Sequence, residues 1–234
     1  MEVLSEVWHR AVATQPAPSV EVVGAMALLA ALLVLVPRVW PVARHVVTIA
    51  HEGAHGLAAL VSGRRLSGIR LHSDTSGLTV SSGRPTGLGM IVTSFAGYVG
   101  PAVLGLAAAL LLDAGRAGGL LWGLLVLLAL LLVQIRNWFG LWSVLVSGFV
   151  VFAASWWLPP PGLSGFAYLV TWFLLLAAPR PVLELQTKRW RGQARDSDAD
   201  QLARLTGVPA LLWVGVFLVV TVGAAAAGAR LLVP

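Results

Sequence analysis

An apolar tract of about 39 residues, 120–158, most constrains what this chain can fold into. A membrane-spanning helix needs about 20 apolar residues, so the tract is too long for one crossing. It contains the polar group Gln134-Ile135-Arg136-Asn137, at which we predict that one helix ends and another begins. The other apolar segments long enough to cross a bilayer are 20–36, 42–61, 88–112, 163–178 and 208–232. The chain is therefore predicted to be an integral membrane protein.

The composition agrees with a membrane protein and excludes several classes of soluble protein. Hydrophobic residues make up 58% of the chain and charged residues 11%, whereas soluble domains have about 45–50% and about 25%. A soluble fold of this length has too little interior to bury so much apolar surface. The absence of cysteine excludes disulfides and thiolate metal ligands. We expect no nucleic-acid partner, because loops that set the orientation in the lipid bilayer better explain the net charge of +6.

The basic residues predict which side of the membrane is cytoplasmic. A seven-span arrangement brings the polar loops 63–87 and 180–207 to one side, together with Arg10 and Arg136. Four basic residues in the first loop, six in the second, Arg10 and Arg136 make twelve of the sixteen in the chain. Cytoplasmic loops are enriched in Lys and Arg, so this side is predicted to face the cytoplasm.

These patterns predict an all-α polytopic membrane protein with six to seven transmembrane helices. We expect a single integral membrane domain over residues 1–234, with a cytoplasmic loop at about 180–207 and a C-terminal span at about 208–232. The abundance of Ala, Leu, Val and Gly, with Arg strongly preferred to Lys, is typical of a bacterial protein, which would place the chain in the plasma membrane.

The span 42–61 contains the motif His51-Glu52-Gly53-Ala54-His55. On a helix the two histidines lie one turn apart on the same face, so that both imidazoles can bind one zinc ion. Glu52 is then placed to act on a water bound to the metal. A Glu at membrane depth costs at least about 2.5 kcal/mol. A polar helix–helix contact or a buried ion pair does not need three such groups in one turn, and we therefore predict a zinc site.

A short β-hairpin is predicted after this helix. Residues 67–72 and 77–81 alternate between apolar and polar side chains, and the polar segment 73–76 between them is typical of a turn. A hairpin edge beside the metal would hold an unwound substrate by strand addition, and a plain interfacial hairpin is the alternative. We interpret His72 and Asp74 as turn residues rather than as further ligands.

With these features the chain resembles the site-2 protease family of zinc intramembrane metallopeptidases, and most closely a small bacterial branch. The resemblance rests on the His-Glu motif, the glycine-rich stretch 66–83 and the segment Ala96-Gly97-Tyr98-Val99-Gly100-Pro101. It implies a catalytic core at about 42–150, with Glu52 as the catalytic base. It also implies membrane-embedded protein substrates, often regulatory proteins already trimmed by another protease.

The third zinc ligand is the point at which the chain departs from the family. The family usually supplies an Asp from an Asp-Gly motif, which this sequence lacks. The candidate by position is Asn137, the alternative is Glu184, and water or another group stays open. The segment Asp196-Ser197-Asp198-Ala199-Asp200 is typical of a helix N-terminus, which we favour over a metal role.

Three functions follow from these observations. The leading hypothesis is a zinc-dependent intramembrane endopeptidase. Because His55 lies about seven residues, or about 10 Å, before the cytoplasmic end of its helix, we expect its active site to be reached from the cytoplasmic side. The second hypothesis, motivated by the missing Asp, is a catalytically inactive relative that acts as a membrane scaffold or chaperone. The third is a metal-ion transporter, which would need polar residues in other spans.

Overall fold

The computed structural model describes residues 2–194 and 196–233. Arg195, one of the basic residues of the loop 180–207, lies outside the described residues. Helices and one small antiparallel sheet account for most of the described chain. The elements are α1 (Glu2–Val12), α2 (Val20–Leu35), α3 (Trp40–Val61), β1 (Arg65–Leu71), β2 (Gly77–Ser82), α4 (Leu88–Asp113), α5 (Ala117–Gln134), α6 (Trp138–Trp157), α7 (Pro160–Ala177), α8 (Pro179–Trp190), α9 (Asp198–Thr206) and α10 (Ala210–Leu232).

The helices confirm the polytopic all-α fold. Five helical segments of the described chain are long and apolar enough to cross a bilayer: α4, α5, α6, α7 continued by α8, and α10. The pair α2 and α3 passes the same test only when taken together, and its two helices are bent by 100°. Six spans result if this pair is counted as one.

Pro37 explains the break between α2 and α3. A proline cannot continue the hydrogen-bonding pattern of a helix, and it pushes the residue before it into an extended conformation. Val36 has φ −72° and ψ 117°, as this effect requires. The segments 20–36 and 42–61 thus form a bent pair that counts as at most one crossing, rather than as the two that the sequence predicts.

This break changes the predicted position of Arg10. Its guanidinium donates to the carbonyl oxygen of Trp156 at 2.9 Å, at the C-terminal end of α6. The nearby Gln15 N–H donates to the carbonyl oxygen of Gly115 at 2.9 Å, just before α5. The prediction that Arg10 lies on the same side as Arg136 is therefore wrong, because one broken span carries the chain across only once. The hairpin, Arg136 and the loop 180–207 remain together at the other end of the bundle, which we call the hairpin end.

The predicted β-hairpin is confirmed. Strands β1 and β2 are antiparallel, with Ile69 opposite Thr79 and Leu71 opposite Gly77. The linker between α5 and α6 lies along the outer edge of β1, where Ile135 forms a parallel bridge with Ile69. The hairpin is therefore held on that edge, while the outer edge of β2 faces away from β1.

Small residues bring α3 and α4 close together. A Cβ atom at Gly100 would lie within 3.0 Å of the Cβ atom of Ala54, so only glycine allows this approach. The contact at Gly100 places the His-Glu segment of α3 against the middle of α4. Further along α4, a Cβ atom at Gly105 would lie 3.0 Å from the side chain of Leu175 on α7.

Candidate metal centre

The two histidines of α3 lie together, as their spacing predicts. Their ring centroids are 4.7 Å apart, and their Nε2 atoms are 3.1 Å apart. The Nδ1 atom of His55 is 2.7 Å from the carbonyl oxygen of Thr93 on α4. Because a carbonyl only accepts hydrogen bonds, this contact requires a proton on Nδ1 and leaves the Nε2 lone pair of neutral His55 free for a metal.

Gly97 of α4 makes room for both rings. A Cβ atom at this position would lie within 3.0 Å of the Nε2 atom of His55, and 2.7 Å from the Cε1 atom of His51. Any larger residue would push the imidazoles apart or out of the helix interface. The glycine therefore forms a cradle for the histidine pair, and the segment 96–101 packs against α3 through Gly97 and Gly100.

Asp198 completes a cluster with the two histidines. Its Oδ2 atom is 3.2 Å from Nε2 of His55 and 3.4 Å from Nε2 of His51. One ligand atom from each of the three residues lies within 4.8 Å of the others, a spacing that fits a single metal ion. Two imidazoles and a carboxylate are ligands that zinc commonly takes.

The charge of Asp198 favours metal binding. Burial alone would raise the pKa of its carboxyl, but without a metal the charge and hydrogen bonds of the protonated imidazoles of His55 and His51 hold that pKa below its ordinary value. The carboxylate is thus ionised at neutral pH. An ionised carboxylate beside two imidazole nitrogens fits a divalent cation both in charge and in donor atoms.

Local and tertiary contacts of α9 position Asp198. Ser197 is the N-cap, and its side chain and that of Asp200 form a reciprocal capping box. Arg189 at the end of α8 pairs with Asp200. The apolar residues Ala199 and Leu202 of the same helix are buried. They pack in a cluster with residues of α4, α8 and α10. This packing fixes α9 where the carboxylate of Asp198 meets the histidines of α3.

Sequence reasoning correctly interpreted the segment 196–200 as a helix N-terminus but missed the place of Asp198. Ser197 and Asp200 account for the capping, and Asp196 is 92% exposed. Asp198 has no capping role in this pattern, and this is the feature of the sequence that could have marked it as a candidate ligand.

Asn137, the candidate for the third ligand, and Glu184, its alternative, have other partners in the structure. The amide of Asn137 accepts from the N–H of Leu71 at 3.1 Å and donates to its carbonyl oxygen at 2.7 Å. It thereby extends the edge pairing of β1 that Ile135 begins. The carboxylate that joins the histidines in the structure is that of Asp198.

Glu184 belongs to a separate ionic cluster. Its carboxylate accepts from the indole Nε1–H of Trp40 at 2.6 Å. It also pairs with Arg44 at 3.2 Å and with Arg180 at 3.4 Å. Two guanidinium groups and an indole thus compensate its charge, which explains how the carboxylate is accommodated between α3 and α8 without a metal.

Glu52 is buried between α3 and β2, and only 5% of it is exposed. Thr79 donates to its Oε2 atom at 2.6 Å. The turn residues behave as predicted, since the hydroxyl of Ser76 lies 2.6 Å from Asp74 and 3.3 Å from His72. Glu52 thus follows His51 directly in α3, and its buried carboxylate is held by β2.

The comparison with family models agrees with this site. The model described as Peptidase M50B-like, a site-2 protease family domain, matches residues 24–228, which include the histidines, Glu52 and Asp198. No curated protein and no solved structure is significantly similar to the chain. With its apolar helices and this match, the chain is an integral membrane protein that belongs to the site-2 protease family, in its M50B-like branch.

Proposed function

We propose that the chain is a zinc-dependent intramembrane endopeptidase. His51, His55 and Asp198 hold the metal in this proposal, and Glu52 is the general base. The observation that carries it is the cluster of three ligand atoms within 4.8 Å of one another, beside a buried glutamate, in a chain of this family.

The protein residues divide the chemistry between them. A bound zinc ion supplies a water of lowered pKa and polarises the carbonyl of the scissile peptide. Glu52 takes a proton from the attacking water as the new C–O bond forms, and later gives it to the leaving nitrogen as the C–N bond breaks. Thr93 keeps His55 in the tautomer that leaves Nε2 available.

The hairpin supports a role in holding the substrate. The outer edge of β1 is already paired with Ile135 and Asn137, whereas β2 carries Thr79 next to Glu52. A substrate segment that adds to β2 would be extended, with its peptide bonds exposed to attack. We propose a membrane-embedded protein as substrate, of the kind that another protease has already trimmed.

The site is proposed to open toward the cytoplasm. The hairpin end carries most of the basic residues of the chain even without Arg10, and cytoplasmic loops have this bias. A bacterial plasma membrane is the proposed location, and the lipid bilayer is the partner of the apolar helix faces.

The alternative of an inactive scaffold rested on a missing carboxylate ligand. Asp198 supplies a carboxylate within 3.4 Å of both histidines, which removes that motive. The experiment that separates the two functions uses purified protein in detergent and a panel of labelled single-span peptides. We expect the wild type to contain zinc and to cleave at least one peptide.

Glu52→Gln is the decisive variant, because it keeps the shape of the side chain and removes the base. We expect unchanged zinc content and a rate lower by about 10²–10⁴-fold or more. Cleavage by Glu52→Gln at the wild-type rate would refute the proposed mechanism. A wild type that contains no zinc and cleaves nothing would favour the scaffold.

A further inference from the structure

Thr79 on β2 contacts the general base of the proposed reaction. Its hydroxyl oxygen is 2.6 Å from the Oε2 atom of Glu52 and 3.1 Å from the main-chain oxygen of the same residue. A hydroxyl has a single proton to donate. The shorter contact is to the charged oxygen, and hydrogen bonds to ionised acceptors are the shorter and stronger ones. The proton of Thr79 is therefore assigned to the carboxylate.

Gly77 fixes the other side of the same carboxylate. A Cβ atom at this position would lie within 3.0 Å of Oε1, Cδ and Cγ of Glu52. Only a glycine lets β2 approach the side chain so closely. One carboxylate oxygen thus accepts from Thr79, and the other lies against the backbone of Gly77.

The hairpin that carries both residues is itself anchored to α3. One helical turn before Glu52, the hydroxyl of Thr48 lies 3.0 Å from the carbonyl oxygen of Thr75 and 3.2 Å from that of Arg44, and the shorter contact is the one to the hairpin. Arg44 donates to the side chain of the same threonine. On the far edge, Asn137 pairs with Leu71. Because the hairpin is held at both places, Thr79 is a fixed donor rather than a mobile one.

We propose that Thr79 is a positioning residue, whose hydroxyl fixes the orientation of the Glu52 carboxylate for its role as the general base. This inference rests on the proposed peptidase function. It assigns to the hairpin a role in the chemistry that is separate from holding a substrate.

Thr79→Val is the test, since it keeps the branched shape and loses the hydroxyl. We expect kcat for the cleaved peptide to fall about 10- to 100-fold, because small misplacements of a reacting group cost about that much. The zinc content should stay within about twofold, since Thr79 is not a metal ligand, and so should the Michaelis constant, since a substrate added to β2 pairs with its main chain rather than with the Thr79 hydroxyl. Thr79→Ser restores the donor and should recover most of kcat.

Thr48→Val is the matched control, because it removes a hydroxyl that anchors the same hairpin without touching Glu52. It should lower thermal stability and leave kcat much closer to wild type than Thr79→Val does. An equal loss of kcat in both variants would show that Thr79 only holds the hairpin. A higher kcat in Thr79→Val would show that the contact restrains the base, and would also overturn the proposal.

A stability measurement tests the contact without any cleavage. Thr79→Val should lower the unfolding midpoint in the wild-type background and have a clearly smaller effect in the Glu52→Ala background. Equal effects in both backgrounds would refute the hydrogen bond. If the wild type cleaves no peptide, the proposed function fails and this role fails with it. If the wild type cleaves and Thr79→Val cleaves equally well, only the role of Thr79 fails.

Discussion

The two parts of the candidate metal centre are built in different ways. α3 supplies both histidines and Glu52 from a single helical turn, and close glycine contacts lock this turn against α4. α9 supplies only Asp198, from a nine-residue helix far along the chain. It is held by a capping box, one ion pair and a small buried face. The histidine pair is therefore preformed within one helix, whereas the position of Asp198 depends on the docking of α9 against the rest of the fold.

Zinc binding by the histidine pair should be most sensitive to substitution of Gly97. Gly97→Ala would bring a Cβ atom into the rings of both histidines, and overpacking of this kind costs about 1–3 kcal/mol. We expect lost or strongly weakened zinc binding together with a lower unfolding midpoint, measured by metal analysis and thermal unfolding. Gly215→Ala on α10 is the control, because nothing lies within 4 Å of its added Cβ atom. Full zinc binding by Gly97→Ala would mean that the glycine cradle is not needed.

Substitutions that weaken the docking of α9 should reduce zinc binding less. Asp200→Asn removes the charge that pairs with Arg189 and weakens the capping box. Loss of a cap costs about 1 kcal/mol. This lowers zinc affinity by at most about fivefold, the full effect being reached when α9 docks only as zinc binds. A competition titration with a zinc chelator measures the change. The exposed pair of Arg204 and Asp196 provides the control, because Arg204→Ala should leave affinity unchanged.

The contact between Arg189 and Asp200 should make the stability of the fold depend on pH. Burial would raise the pKa of Asp200, but hydrogen bonds from Arg189 and Ser197 lower it below its ordinary value. A carboxylate with a lowered folded-state pKa stabilises the fold above its unfolded pKa of about 3.9, and loses that contribution as the pH falls further. The difference in stability between wild type and Asp200→Asn should therefore be constant near neutral pH and shrink below about pH 4.

Local patterns predicted the features that depend on neighbouring residues. The histidine spacing, the hairpin and the polar break near Asn137 can each be read within a few residues, because helix and strand periodicities are local. The bend after Val36 was not predicted, because the apolar residues on both sides of Pro37 indicate two spans, whereas the effect of Pro37 on the preceding residue indicates a break. Asp198 could not be inferred from spacing, because the packing of Ala199 and Leu202 brings it to the histidines. Asn137 was selected for its position, whereas its amide completes the edge of β1.

The identity of the third ligand is decided by the zinc content and zinc affinity of purified Asp198→Ala and Asn137→Ala, measured beside the wild type and Asp196→Asn. We expect about one zinc per chain for the wild type, Asn137→Ala and Asp196→Asn. Asp198→Ala should lose at least about 100-fold in zinc affinity, since even the loss of a residue that only supports a ligand costs about 10–100-fold. Full zinc in Asp198→Ala with loss of zinc in Asn137→Ala would show that Asn137, and not Asp198, is the third ligand.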